Sequence, residues 1–200
     1  MYPFRQAFSG RPIYLNISMK IHIFGASGSG VTTLGNALSN QTGIPYFDTD
    51  AYYWIPTNPP YSSRRNPTER NKLLTNDLNH SADWIIGGSL LNWGEQWLSA
   101  FDLAVFLWVA PELRLERLRK REFQRYGNLI FTDKDRKQQH EEFIDWASGY
   151  DSNLAHGRTL QAHENWMREL SCPLIDIRGD YSVAERLAIV LRQMEQHSLK

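Results

Sequence analysis

Lys20-Ile21-His22-Ile23-Phe24-Gly25-Ala26-Ser27-Gly28-Ser29-Gly30-Val31-Thr32-Thr33-Leu34 is the stretch on which the reading of the fold turns. A short strand-prone run feeds a glycine-rich turn, and a helix-compatible run follows. Gly25, four residues, Gly30, one residue and Thr32 keep the spacing of the phosphate-binding pattern G-x-x-x-x-G-K-[ST], with Val31 where the pattern has lysine.

In a strand–turn–helix unit of this kind several backbone N–H groups point at one spot, and the helix N-terminus adds partial positive charge. Gly25, Gly28 and Gly30 permit close approach and positive φ. Thr32 is the candidate Mg²⁺ ligand, and Thr33 a candidate donor to a phosphate. Ser27 and Ser29 are further candidate donors. A dinucleotide fingerprint starting at Gly28 would need glycine or alanine at Thr33, so that reading fails. Val31 supplies no charge, and a charge-assisted hydrogen bond is worth roughly 1.5–3 kcal/mol. Either another cation replaces the lysine or the site binds nucleotide without fast turnover. The arginines after the fourth strand are better placed for this than Lys20.

Outward from the loop, strand and helix patterns alternate. Strands are expected at 21–24, 44–47, 84–86, 103–109 and 173–177. Helices are expected at 31–40, from a Thr68 cap to about 79, from Pro111 onward, and at 133–147, 159–170 and 183–196. A proline-rich loop separates 55 from 67. This βα alternation implies an α/β domain with a parallel sheet and helices on both faces.

The 200 residues suffice for one sizeable core; 22 Lys plus Arg balance 22 Asp plus Glu. That balance argues against a general nucleic-acid or membrane-surface binder. Cys172 is the sole cysteine, which excludes an internal disulfide. No apolar run approaches ~18 residues, and a reducing cytoplasmic setting fits. Residues 1–18 lack the apolar core of a secretory signal and read as an N-terminal extension, with Met19 as the expected natural start.

Asp48 and Asp50 follow the second strand, on the sheet edge where ligands bind. They can serve acid–base or metal-water chemistry, or Asp50 can simply cap the turn. Tyr52, Tyr53, Trp54 and Tyr61 with Arg64 and Arg65 suit an anionic acceptor, or else a surface loop packed on the core. Gly88 and Ser89 end the third strand, where Ser89 can also cap. Arg114, Arg117 and Arg121 share a helical face, which Arg125 continues; interleaved glutamates leave a solvated face as the other reading. The histidines give no metal spacing.

These residues resemble the nucleoside monophosphate kinase-like P-loop proteins, an adenylate kinase-like family, over most of 19–197. The resemblance rests on Gly25 to Gly35 (GASGSGVTTLG), Phe47 to Trp54 (FDTDAYYW) and Gly87 to Gly94 (GGSLLNWG). It implies a three-layer P-loop NTPase fold, a five-stranded parallel sheet in the order 2-3-1-4-5, and a helical lid near 122–157. It implies Mg-ATP-dependent phosphoryl transfer to a small acceptor such as a nucleoside monophosphate, with ATP and Mg²⁺ as cofactors. Asp48 or Asp50 would then orient metal-bound water or take the acceptor proton. Arg117 and Arg121 would act as lid arginines on the phosphates, and Arg178-Gly179-Asp180 would form the turn that contacts adenine. Asp50, Arg64, Arg65, Gly88 and Ser89 would surround the acceptor. The true adenylate kinase pattern departs here in the loop lysine and in the segment after the third strand. A nucleotide-binding regulatory module with little catalysis is the alternative that Val31 supports.

Overall fold

The computed structural model describes residues 18–58 and 60–198. The extension expected over 1–18 therefore lies outside the described residues except for Ser18. Five strands, β1 (Lys20–Gly25), β2 (Tyr46–Asp48), β3 (Trp84–Gly87), β4 (Leu103–Trp108) and β5 (Leu174–Arg178), form one sheet in the order β2-β3-β1-β4-β5. Every pairing is parallel, as the expected order requires. The helices are α1 (Val31–Thr42), α2 (Thr49–Tyr53), α3 (Pro67–Leu78), α4 (Pro111–Tyr126), α5 (Leu129–Thr132), α6 (Lys134–Ser148), α7 (Leu160–Glu169) and α8 (Val183–Ser198).

The three layers follow from the two-residue period of the strands. Ile21 and Ile23 of β1, Ile85 of β3, and Leu103, Val105 and Leu107 of β4 face one way, against Leu34 and Leu38 of α1 and Val190 and Met194 of α8. Their alternates Phe24, Ile86 and Phe106 face the other way, against Leu74 and Leu78 of α3 and Trp166 of α7. Both faces are covered, as a parallel sheet demands.

Local chemistry sets the helix ends. Asn66, rather than the expected Thr68, caps α3 by accepting from the Thr68 N–H at 2.9 Å. Pro67 then occupies the first helical position, where a missing N–H is harmless. Ser182 and Glu185 form a reciprocal capping box at the start of α8, with N–H to carboxylate at 2.7 Å and N–H to hydroxyl at 3.3 Å. The proline-rich segment closes on itself through an antiparallel bridge between Trp54 and Arg64. Among the described residues, no helix is long and apolar enough to cross a membrane.

His22 is buried at the centre of β1, stacked 4.7 Å from both Phe24 and Phe101. Its Nε2 is 2.9 Å from the Gly88 carbonyl oxygen. Burial lowers its pKa to about 4, against the upward pull of that hydrogen bond. The native imidazole stays neutral while the unfolded one protonates near pH 6.5, so stability is full above about 6.5 and falls toward pH 4. The loss on acidification is about 3 kcal/mol at 1.36 kcal/mol per pK unit. Urea titrations at pH 7.5 and pH 4.5 will show that loss in the native chain and a smaller one in His22→Phe. Equal losses in both would exclude His22 as the cause.

Candidate active site

β1 ends at Gly25, where a Cβ would collide with the Leu107 carbonyl of β4. The loop then turns, and the Ser29 N–H donates to Ala26 O at 3.1 Å. Gly30 caps α1 at φ 99° and ψ 20°, a left-handed conformation that favours glycine. No side chain caps the helix, and Leu34 N–H bonds back to Gly30 O at 3.0 Å. The amides of Val31, Thr32 and Thr33 thus lack intrahelical acceptors at the helix mouth, where the partial positive charge favours an anion.

A cavity of about 790 Å³ opens over this turn, lined by Gly25, Ser27, Gly28, Gly30, Val31, Thr32 and Thr33 among others. Ser29 departs from expectation. Its side chain is fully buried, its hydroxyl turns toward Gly25 with no partner among the described residues, and its N–H is used within the turn. Ser29 therefore packs within the loop, and Ser27 rather than Ser29 lines the cavity.

One cation in direct contact with the loop comes from an unexpected element. Arg186 of α8 donates from Nη1 to Ser29 O at 2.6 Å and from Nη2 to Gly179 O at 3.3 Å. It also lines the cavity beside Gly30. Burial, and then Arg117, lower its pKa from the ordinary guanidinium value.

The two aspartates separate cleanly. Asp48 caps α2, accepting from Asp50 N–H at 2.9 Å. It also accepts from the Thr32 hydroxyl at 3.1 Å and from the Tyr46 hydroxyl at 3.4 Å. Among the described residues no hydrogen bond or ion pair engages the Asp50 carboxylate. Its surface is exposed to solvent where it lines the cavity. Desolvation by the surrounding cleft, and then the charge of Asp48, push its pKa above the ordinary carboxylate value, with Arg158, Arg121 and Arg125 pulling the other way.

A second cavity, of about 870 Å³, adjoins the first. The two share Ser27, Asp50, Arg121, Arg125 and Arg158 as lining residues. One carboxylate and three guanidinium groups thus stand where the cavities meet. Burial, and then Arg125, lower the pKa of Arg121. Arg117 lies in the first cavity alone, paired to Asp180 at 2.7 Å beside Tyr181. Arg114 is not on this face at all. It is wholly buried, ion-paired with Asp151, and donates to Ser27 O at 3.1 Å and Val109 O at 3.2 Å.

Gly88 lines the first cavity and Ser89 the second. The Ser89 hydroxyl is 3.2 Å from His163 Nε2, whose Nδ1 is 2.7 Å from the Tyr150 hydroxyl. Ser89 also accepts from the Leu91 N–H at 3.4 Å. Burial depresses the pKa of His163, which leaves a neutral ring to hold Ser89 in place. Arg64 lines the second cavity, with its guanidinium 5.9 Å from the Tyr53 and Trp54 rings. Arg65 does not line either cavity; it binds Glu69 at 3.0 Å and the Tyr52 carbonyl at 3.0 Å. Arg65, expected beside the acceptor, is thus engaged away from both cavities.

Arg70, Arg158 and Arg186 were missed from the sequence. Arg158 follows Gly157, which adopts φ 78°, and this glycine–arginine step before α7 is the sole local hint. Arg70 and Arg186 look like ordinary helix arginines in one dimension. Among the described residues no group of three or more His, Cys, Asp and Glu side chains is arranged to hold a metal ion.

No protein-family model matches the chain. In fold it is similar to shikimate kinase from Acinetobacter baumannii in complex with shikimate, at TM-score 0.53 and 17% identity over 92% of this chain and 96% of that one. It is also similar to deoxyadenosine kinase from M. mycoides, at TM-score 0.51 and 15% identity over 89% of this chain and all of that one. The fold is that of the P-loop kinases. In sequence the chain is 46% identical over 171 residues to the protein of Bacillus subtilis (strain 168) described as uncharacterized protein YqaC, covering 86% of this chain and 94% of that one. Such identity across nearly the whole of both chains means that the protein belongs to the family of YqaC.

Proposed function

We propose that the protein transfers the terminal phosphoryl group of ATP to a small acceptor, with a nucleoside monophosphate as the acceptor class implied by the resemblance. One observation carries the reading: the phosphate-loop cavity and the aromatic cavity meet at Asp50, Arg121, Arg125 and Arg158. That is the arrangement a donor and an acceptor need for in-line transfer. The first cavity takes the donor, its triphosphate on the amides of Val31, Thr32 and Thr33. Its base lies toward Arg117 and Tyr181.

Thr32 and Asp48, hydrogen-bonded at 3.1 Å and facing the cavity, are the residues that would hold Mg²⁺. Oxygen ligands of this kind suit that ion, which takes most of its other ligands from water and phosphate. When bound, it neutralises charge on the phosphates. Asp50 accepts the proton of the attacking acceptor oxygen, a hydroxyl or the protonated oxygen of a phosphomonoester. The new O–P bond forms as the bond from the γ-phosphorus to the bridging oxygen breaks, and ADP leaves. The proton on Asp50 returns to water. Arg121, Arg125 and Arg158 balance charge on the phosphoryl group in transit. Segment 122–157, which carries Arg125 and much of the second cavity's wall, acts as the lid.

Arg186 does part of the work of the absent lysine by fixing the loop from behind and adding charge beside it. Arg186→Met will weaken ATP binding by about tenfold or more, as expected for losing a charge-assisted bond. Titration calorimetry on the two proteins checks this; unchanged affinity would exclude the role. The function itself is tested by incubating the chain with ATP, Mg²⁺ and a panel of monophosphates and hydroxylated acids. Phosphorylated product supports transfer. Tight ATP binding with no transfer to any acceptor would favour the regulatory module instead.

A further inference from the structure

Arg70 projects from α3 and is 5% exposed. Its guanidinium lies 3.9 Å from the Trp93 ring and 5.8 Å from the Tyr53 ring. Nε donates to Asn71 Oδ1 at 3.2 Å and Nη2 to Asn92 O at 3.3 Å. Both acceptors are neutral, and among the described residues no carboxylate pairs with Arg70. Burial lowers its pKa, and Tyr53 is the sole charge-bearing group that pulls the other way. A guanidinium held in a low-dielectric wall without a counter-charge is costly unless something supplies one.

The wall in question belongs to the second cavity. Arg70 lines that cavity and not the first, whereas Asp50 lines both. Arg64, equally without a carboxylate partner among the described residues, stands on Tyr53 in the same cavity. Across the whole lining, six arginines face three carboxylates, in a chain whose formal net charge is zero. The excess positive charge is concentrated where an acceptor would sit.

We infer that the acceptor is a hydroxylated anion, its carboxylate or phosphomonoester held by Arg70 with help from Arg64, and its attacking hydroxyl directed to Asp50. The inference rests on the phosphotransfer reading for the hydroxyl end, while the anion end stands on Arg70 and Arg64 independently of that reading. Arginine presents parallel N–H donors that match either anion. The aromatic side chains Tyr53, Trp54 and Trp93 give the body of the acceptor an apolar wall.

Binding without ATP tests the anion end separately from the kinase reading. The full chain is titrated with AMP against adenosine, and with hydroxybenzoate against its methyl ester, while tryptophan fluorescence is followed. In at least one pair the anion will bind tenfold or more tighter than its neutral partner, and the pair that discriminates tells phosphomonoester from carboxylate. Arg70→Met will abolish the discrimination, and Arg70→Lys will retain part of it. Should Arg70→Met fail to fold, Arg64→Ala at the exposed neighbouring position will reduce the discrimination by several fold. Equal binding within both pairs, no binding of either anion at millimolar concentration, or discrimination that survives both variants would overturn the inference. ATP titrated in parallel keeps the outcomes apart: loss of ATP binding with anion discrimination intact defeats the kinase reading and not the anion site.

Discussion

Asp50→Asn will lower the turnover of phosphoryl transfer by roughly 10²- to 10⁴-fold, the usual span for loss of a general base, and will leave ATP affinity within about threefold of the native value. The expectation follows from the contrast between neighbouring carboxylates. Asp48 accepts hydrogen bonds from a helix amide and two hydroxyl groups, whereas Asp50 faces the junction of the cavities without a bond partner among the described residues. Desolvation and Asp48 raise the Asp50 pKa, which strengthens it as a base and moves its titration toward neutral pH. A base works ionised, so activity rises with pH through the titration of Asp50. The asparagine variant will lose this rise along with its rate. Asp48→Asn will instead raise the Mg²⁺ requirement. Rate assays across pH and magnesium concentration separate the two. Retention of full turnover by Asp50→Asn would remove Asp50 from the chemistry.

Arg114→Met will destabilise the fold by about 3 kcal/mol, the lower end of what breaking a buried ion pair costs. The lower end applies because Asp151 keeps 19% side-chain exposure and a hydrogen bond from Trp108 Nε1 at 2.7 Å. Arg114 ties three pieces together: Ser27 in the phosphate loop, Val109 at the end of β4, and Asp151 beyond α6. Its loss therefore loosens the loop as well as the core. Replacing both partners in Arg114→Met/Asp151→Leu will recover much of the stability, since no uncompensated charge is left inside. Chemical denaturation of the two single variants and the double variant measures the coupling. Additive losses would mean that the pair does not act as a unit.

The phosphate loop was legible because its physics is local. Gly30 is demanded by a positive φ within the turn itself, and a Cβ at Gly25 would meet Ser29 Oγ four residues on as well as the distant Leu107 carbonyl. The sheet was legible because short apolar runs such as 103–109, buried on both faces, alternate along the chain with helical stretches. The helices α2 and α5 were not anticipated: at five and four residues, they are too short to show a helical period. Arg64 and Arg65 read as a pair, but they sit on an extended bridge segment where adjacent side chains point opposite ways. One meets the cavity and the other meets Glu69. Arg70, Arg158 and Arg186 were invisible for a different reason. Each reaches its site only after the chain has folded, as Arg186 meets Ser29 across 157 residues. Burial also reversed one expectation: Arg114 shares a sequence face with Arg117 and Arg121, yet it is scaffold.

In the proposed reading a glycine-lined helix mouth, backed by arginines from distant elements, holds a triphosphate without a loop lysine. Isothermal titration calorimetry of the full chain with ATP, with and without Mg²⁺, decides it. Saturable binding at one site per chain is expected, strengthened by Mg²⁺ and weakened by Arg186→Met. The absence of any heat of binding up to millimolar ATP under both conditions would rule this reading out.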